Sequence, residues 1–167
     1  MREKQHLPIY GVGPFYGAGV FILTAVGVLL SLTGVIDSGR ITSAAVTAAF
    51  IIVGIALIAA GIAVWYPAAF GRKRIDGYIE TNKLCTTGIY AWVRNPCYSG
   101  IMIFCTGILL TAHNLWLLIL PPIFWVAMTV LMINSEEKWL EKLYGQEYID
   151  YKKRVNRCIP WFPKRER

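Results

Sequence analysis

Four apolar runs divide the chain: Val12 to Ile36, Ala44 to Trp65, Gly100 to Ala112 and Leu115 to Ile133, with every charged residue outside them. Three of these runs reach the roughly 20 residues that a spanning helix needs, and the third run is short. Begun at Pro96 or Cys97, and joined to the fourth by a tight turn at His113-Asn114, the third forms a helical hairpin that crosses fully or dips in at an angle. The first run is too long for the apolar core of a signal peptide, and no small-residue cleavage site follows promptly, so it is expected to be retained.

The polar stretches have structure of their own. From Pro67 to Asn95 the chain is basic and punctuated by Gly71, Gly77 and Gly88, yet GYIETNKLCTTGIYAWV keeps enough apolar and aromatic side chains to argue against disorder. A connection this long in a small protein is expected to carry function. After the fourth run, Trp139, Leu140, Leu143 and Tyr144 recur at helical spacing opposite Lys138, Glu141 and Lys142, which predicts an amphipathic helix ending near Gly145. A second short helix, Gln146 to about Val155, places Tyr148 and Tyr151 on one side and lets Lys152, Lys153 and Arg154 snorkel toward headgroups. Ile159-Pro160-Trp161-Phe162-Pro163 closes it as an interfacial aromatic anchor.

The pattern therefore predicts an all-α integral membrane protein with about four transmembrane helices, the last two a helical hairpin, plus a cytoplasmic loop and C-terminal amphipathic helices. It is expected to form a single membrane domain: residues 1–66 as a two-helix scaffold, and 67–167 carrying the loop, the hairpin and the terminal helices. Scaffold stretches such as TSAAVTAAF and IALIAAGIAV are rich in small residues, which let membrane helices approach closely.

Composition agrees: 56% of residues are apolar, 16% are charged and the mean hydropathy is +0.48. The net charge of +7 lies wholly in the loops and ends, which favours an anionic leaflet and excludes nucleic acid as the partner. Arg2 and Lys4 precede the first run, Arg40 stands alone in the first loop, and Arg72, Lys73, Arg74, Lys83 and Arg94 fill the second. The third loop has none and the tail holds the rest, so both termini and the central loop are expected on the cytoplasmic side. The cysteines Cys85, Cys97, Cys105 and Cys158 form no C-x-x-C pair and have no His at ligand spacing, so no metal site is expected and each reads as a small buried apolar residue. GVGPFYGAG has two G-x-G steps but no preceding strand, so it lacks the context of a nucleotide loop.

Two features ask for chemistry. Glu136-Glu137 fall at the cytoplasmic end of the fourth run, where acids oppose a helix dipole and gain nothing from an anionic leaflet. A cationic ligand between this end and the central loop explains them; so does a helix continuing past them into solvent. In GIYAWVRNPCYSG, Pro96 pushes Asn95 into an extended conformation and can itself open the third helix. The open N–H groups of that first turn and the Asn95 side chain are expected to form a polar shelf beside Tyr90, Trp92 and Tyr98, suited to an adenine, a ribose or a carboxylate.

LCTTGIYAWVRNPCYSG, followed by EEKWLEKLYGQEYIDYKKRV and an Ile-Pro close, resembles the isoprenylcysteine carboxyl methyltransferase family and its phospholipid methyltransferase relatives, integral membrane enzymes that use S-adenosyl-L-methionine. The resemblance covers Asn82 to Pro163 and rests on a G-[IV]-Y-x-x-x-R-x-P-x-Y block, an acidic pair and a Y-x-x-Y-x-x-x-V tail in order. It implies that Asn82, Lys83, Leu84 and Cys85 supply the strip along which the cofactor lies, that Tyr90 and Asn95-Pro96-Cys97-Tyr98 complete the pocket, and that Glu136 reaches it from the fourth helix. Arg94 matches the family's Arg before a His-Pro step, and with Glu136 it is the implied catalytic pair. Two positions depart from the family: Asn95 replaces the His, and Met132 stands where the carboxyl methyltransferases carry a substrate-contacting Arg, leaving a prenylcysteine carboxylate without its partner.

Methyl transfer from a sulfonium is an in-line displacement that needs positioning in a dry site and no metal. A carboxylate and aromatic faces favour the cation, and Glu136, Tyr90 and Tyr98 could provide them. The implied acceptor is hydrophobic or membrane-associated, entering from lipid: a lipid amine, a small thiol, or an isoprenoid thiol or carboxylate. Two alternatives stay open, an NAD(P)H-dependent membrane reductase of the sterol reductase type and a non-enzymatic membrane module.

Overall fold

A computed structural model describes residues 13–71 and 83–162. Among them the order is α1 (Gly13–Leu32), α2 (Ala44–Phe70), α3 (Pro96–Thr111), α4 (Leu120–Asn134), α5 (Glu136–Tyr144) and α6 (Gln146–Arg154), with short 3-10 turns at Asp37–Gly39, Gly88–Ala91 and Leu115–Ile119. No strand occurs among the described residues. Asn82 of the expected cofactor strip, and Arg2, Lys4, Arg72, Lys73 and Arg74 behind the expected orientation, lie outside them.

Three helical segments are long and apolar enough to cross a membrane: Gly13–Leu32, Ala44–Phe70 and the run Leu115–Tyr144. The helix α3 does begin at Pro96, but its 16 residues span only about 24 Å, short of a hydrocarbon core of roughly 30 Å. Outward-facing Phe, Ile, Leu and Val side chains such as Phe15, Ile22, Ile52 and Ile55 fit a lipid-facing surface. The protein is an all-α, multi-pass membrane protein.

Glycine decides how α2 meets α3. A β-carbon on Gly54 would lie 2.8 Å from the Gly107 carbonyl oxygen, and one on Gly61 would lie 2.8 Å from that of Gly100. From the other side, a β-carbon on Gly107 would come within 2.6 Å of the Gly54 oxygen. Partner numbers run in opposite directions, so the helices are antiparallel, and the seven-residue interval in each keeps the glycine seam facing its partner. Backbones touch here, as membrane helices do when small residues line the contact. Tyr16, Val20, Met102, Cys105, Leu109, Leu117, Phe124, Met128, Met132 and Cys158 form the core beside this seam.

At the end away from α5 and α6, Asn114 locks the first loop to the hairpin turn. Its amide donates to Ser31 Oγ (3.1 Å) and to the Ile36 carbonyl (2.9 Å), and its side-chain oxygen accepts from the Trp116 N–H (3.1 Å). His113 takes φ 40° to make the turn that the sequence places at His113-Asn114.

The acidic pair requires a correction. The helix α4 ends at Asn134, Ser135 breaks it with φ −123° and ψ −85°, and Glu136 and Glu137 occupy the first turn of α5. They sit at a helix N-terminus, where the dipole favours them, and not at a C-terminus. The amphipathic pair is as expected: α5 stops at Gly145 (φ 57°), and Tyr148 and Tyr151 are both buried on α6. Lys152 and Lys153, however, are turned to Glu141 and Asp150 as ion pairs.

Candidate functional site

The stretch Gly88 to Tyr98 forms a hinge between the central loop and α3. Gly88 adopts φ 64°, a conformation that costs a β-carbon-bearing residue, and opens the 3-10 turn. Val93 is fully buried and bridges to Asn156 of the chain after α6. This hinge is strapped to the tail at successive points: Tyr151 Oη donates to the Tyr90 carbonyl (2.6 Å), the Arg94 N–H to Asn156 O (2.9 Å), and the Trp161 N–H to Trp92 O (3.1 Å). Each satisfies a polar group that an irregular segment would otherwise leave unpaired.

This strapping sets the position of α3's first turn. Tyr98 Oη donates a short hydrogen bond to Glu136 Oε1, joining the hinge to the first residue of α5. The Tyr98 ring also lies edge-on to Tyr16 of α1 (5.7 Å between centroids), and a β-carbon on Gly13 would sit 3.0 Å from its hydroxyl. Cys97, Cys85, Tyr151 and Glu136 surround the Tyr90 phenol; burial first, then these neighbours, push its ionisation above the usual tyrosine range. Leu84 packs against Tyr148, Tyr151 and Val155, and the Lys83 carbonyl accepts from Tyr144 Oη (3.4 Å), which fixes the strip Lys83–Cys85 along α5 and α6.

Of the residues singled out in sequence, Cys85, Cys97 and Glu136 are thus brought beside Tyr90, Tyr98 is joined to Glu136, and Lys83 and Leu84 hold the strip against α5 and α6. Arg94 and Asn95 point elsewhere. The Asn95 amide donates to the Arg157 carbonyl of the tail (3.1 Å), and Pro96 is fully buried, so the expected polar shelf is not open at these two positions. Arg94 is buried against Glu137 (Nη1 to Oε1, 3.1 Å) and donates to Tyr148 Oη (3.3 Å). Arg157 grips the same carboxylate bidentately, Nε to Oε1 at 2.5 Å and Nη2 to Oε2 at 3.0 Å. That hydrogen bond raises the Arg157 ionisation further. The Tyr148 phenol is pushed up to about 12 by burial, partly offset by Arg94.

Sequence reading missed Glu137, Arg157 and Gly13. Glu137 was visible only as half of a pair, Arg157 as one of many tail cations, and Gly13 as part of a glycine stretch whose use is close approach to Tyr98. Cys105 and Cys158 are buried as expected, but Cys85 and Cys97 are half-buried beside Tyr90. Met132 is fully buried in the core.

The phospholipid methyltransferase family model matches residues 42–147. A protein-S-isoprenylcysteine O-methyltransferase B of Arabidopsis thaliana is 32% identical over 89 residues, which is 49% of this chain and 42% of that protein. The Saccharomyces cerevisiae protein-S-isoprenylcysteine O-methyltransferase is 37% identical over 79 residues, covering 47% of this chain and 33% of its own. The Mus musculus protein of the same name is 36% identical over 89 residues, 49% and 29% of the two chains. These matches span less than half of each relative's length. No solved structure matches the chain. The matched segment covers more than half of the chain, from just before α2 through the hinge and the hairpin to the beginning of α6, and takes in Tyr90, Arg94, Tyr98, Glu136 and Glu137; the chain belongs to the phospholipid methyltransferase family.

Proposed function

We propose that the chain is a membrane-embedded methyltransferase that binds S-adenosyl-L-methionine between the hinge and α5 and methylates a hydrophobic or lipid-like acceptor. The observation that carries this reading is the hydrogen bond from Tyr98 to Glu136, 38 positions apart, which sets a carboxylate among tyrosines at the edge of the apolar helices. When bound, the cofactor supplies an activated methyl on a positively charged sulfur. An acidic, aromatic-lined site fits such a cation: a carboxylate only accepts hydrogen bonds and attracts positive charge, and tyrosine faces add about 0.5–2 kcal/mol of cation–π attraction.

Each residue's part follows from its chemistry. Glu136, held by Tyr98, provides the fixed negative charge. Tyr90 and Tyr151 have their ionisation raised by burial, so they stay neutral near pH 7 and act as donors and ring surfaces, never as bases. The strip Lys83–Cys85, with Asn82 before it, flanks the ligand, and Cys97 and Tyr98 close the α3 side. Asn95, Pro96 and Arg94 shape the pocket from behind, through the tail.

The acceptor is a neutral nucleophile on a lipid-like molecule, an amine or a thiol. Met132, packed without solvent access in the core with Met128, Phe124 and Cys158, puts no cation four residues before Glu136 to hold a carboxylate. The site faces the cytoplasm, following the distribution of Lys and Arg between the loops.

Binding decides between this reading and its rivals. The purified protein in nanodiscs is expected to bind S-adenosylhomocysteine at micromolar level, on the order of −8 kcal/mol. NADPH binding without it overturns the proposal in favour of a reductase, and binding of neither leaves a non-enzymatic module. Labelled methyl donor incubated with a native lipid extract then shows where the label lands; prenylcysteine as the best acceptor refutes the argument from Met132.

A further inference from the structure

Glu136 and Glu137 are consecutive on one helix, so their side chains diverge by about 100°. Glu136 meets Tyr98, and Glu137 meets two arginines. We propose that Glu137 is a positioning residue: by gripping Arg94 of the hinge and Arg157 of the tail, it holds Tyr98 and Glu136 in register. The inference rests on the reading of Tyr98 and Glu136 as part of the methyl-donor site.

Burial is the first reason. Glu137 is 4% exposed, whereas a carboxylate serving only the helix dipole has no need to leave water, and Glu136 already sits in that first turn. Taking a charge out of water is expensive unless it is paired and hydrogen-bonded, and Glu137 is paired twice. Connectivity is the second. Arg94 lies two residues before Pro96, the start of α3, and Arg157 lies beyond α6. The other straps described above tie the hinge to α6 and the tail. Glu137 ties both to the helix that carries Glu136.

The third reason is that Arg94 has nowhere else to go. Its side chain is 6% exposed, its Nε has no hydrogen-bond partner, and besides Glu137 it reaches the Tyr148 hydroxyl. Without the Glu137 charge, the buried Arg94 guanidinium and the partly exposed one of Arg157 lose the anion they share. The hinge is then pushed from the tail, and Tyr98 loses its alignment on Glu136.

The test uses the full chain in nanodiscs with S-adenosylhomocysteine as the probe. Glu137→Gln, nearly isosteric, is expected to raise the dissociation constant roughly tenfold or more, because removing one partner of a buried ion pair leaves the other charge uncompensated and shifts what it holds. Hydrogen exchange is expected to accelerate at the hinge amides 90–95 and at 156–161 while α2 keeps its protection. In a double-mutant cycle with Tyr98→Phe, the combined loss is expected to be smaller than the product of the single losses, because both changes break one alignment. A merely stabilising Glu137 gives independent effects and a uniform rise in exchange, and either result overturns the proposal. Should Glu137→Gln fail to fold, Arg157→Gln removes the more exposed partner and is expected to show the same pattern at smaller size; unchanged binding and exchange there overturns it equally. If the unaltered protein does not bind S-adenosylhomocysteine, the functional reading falls, and the exchange comparison still decides whether Glu137 holds the hinge.

Discussion

Tyr98 is where the two halves of the site meet, and its hydroxyl is the atom whose loss should be felt first. Tyr98→Phe keeps the ring against Tyr16 but removes the donor to Glu136. A charge-assisted hydrogen bond contributes about 1.5–3 kcal/mol, so S-adenosylhomocysteine affinity measured by calorimetry is expected to fall about tenfold or more. Glu136→Ala, which removes the charge itself, is expected to weaken binding further. Tyr148 gives a pH signature. Its ionisation lies at about 12 in the fold against an ordinary value of 10.0, so its contribution is intact below pH 10 and is lost as pH rises toward 12. Chemical denaturation across that window is expected to show falling stability, with a shallower fall in Tyr148→Phe.

Elements impose a different kind of sensitivity, because here the backbone itself is the contact. A β-carbon on Gly61 would lie 2.5 Å from the Phe104 nitrogen, which cannot yield as a flexible side chain can. Gly61→Leu is expected to force α2 and α3 apart and cost more than about 3 kcal/mol, read as loss of the cooperative thermal transition. Asn114→Ala acts at the other end. It strips partners from Ser31, Ile36 and Trp116 at once, and a drop of roughly 1–3 kcal/mol per unsatisfied buried group is expected in the same melt. Neither change touches the candidate site directly, so binding measured well below the melting temperature is expected to survive Asn114→Ala.

The molecule as a whole places its polar machinery at one end of the apolar helices and wraps it with its own tail. Trp92 packs against Phe162 (4.8 Å between centroids), while Trp161 and Ile159 stay exposed, so the strap ends in an exposed apolar rim rich in aromatics, the composition that suits a membrane–water interface. Ligand binding to such a strapped site stabilises the folded state by mass action. Saturating S-adenosylhomocysteine at about 100 times its dissociation constant is expected to add about 2.7 kcal/mol, visible as a rise in melting temperature that NADPH does not reproduce.

Much of this was legible in the chain itself. Hydropathy alone sets out the apolar helices, because a bilayer admits few alternatives to continuous apolar segments with internally satisfied backbones. Local chemistry sets the start of α3 at Pro96, the stop at Gly145 and the turn at His113-Asn114. Partnership was not legible. Whether Glu136-Glu137 ended one helix or began the next turned on a break at Ser135, a residue with no strong signal of its own. Which of the two acids would face Tyr98, that Arg94 would pair with Glu137 and Asn95 with the Arg157 carbonyl, and that Gly54 and Gly61 would find Gly107 and Gly100 are facts of tertiary packing. Helix propensity and hydropathy are sums over neighbours in sequence, whereas a salt bridge or a backbone contact depends on which distant residues share a few ångströms of space, and folding decides that.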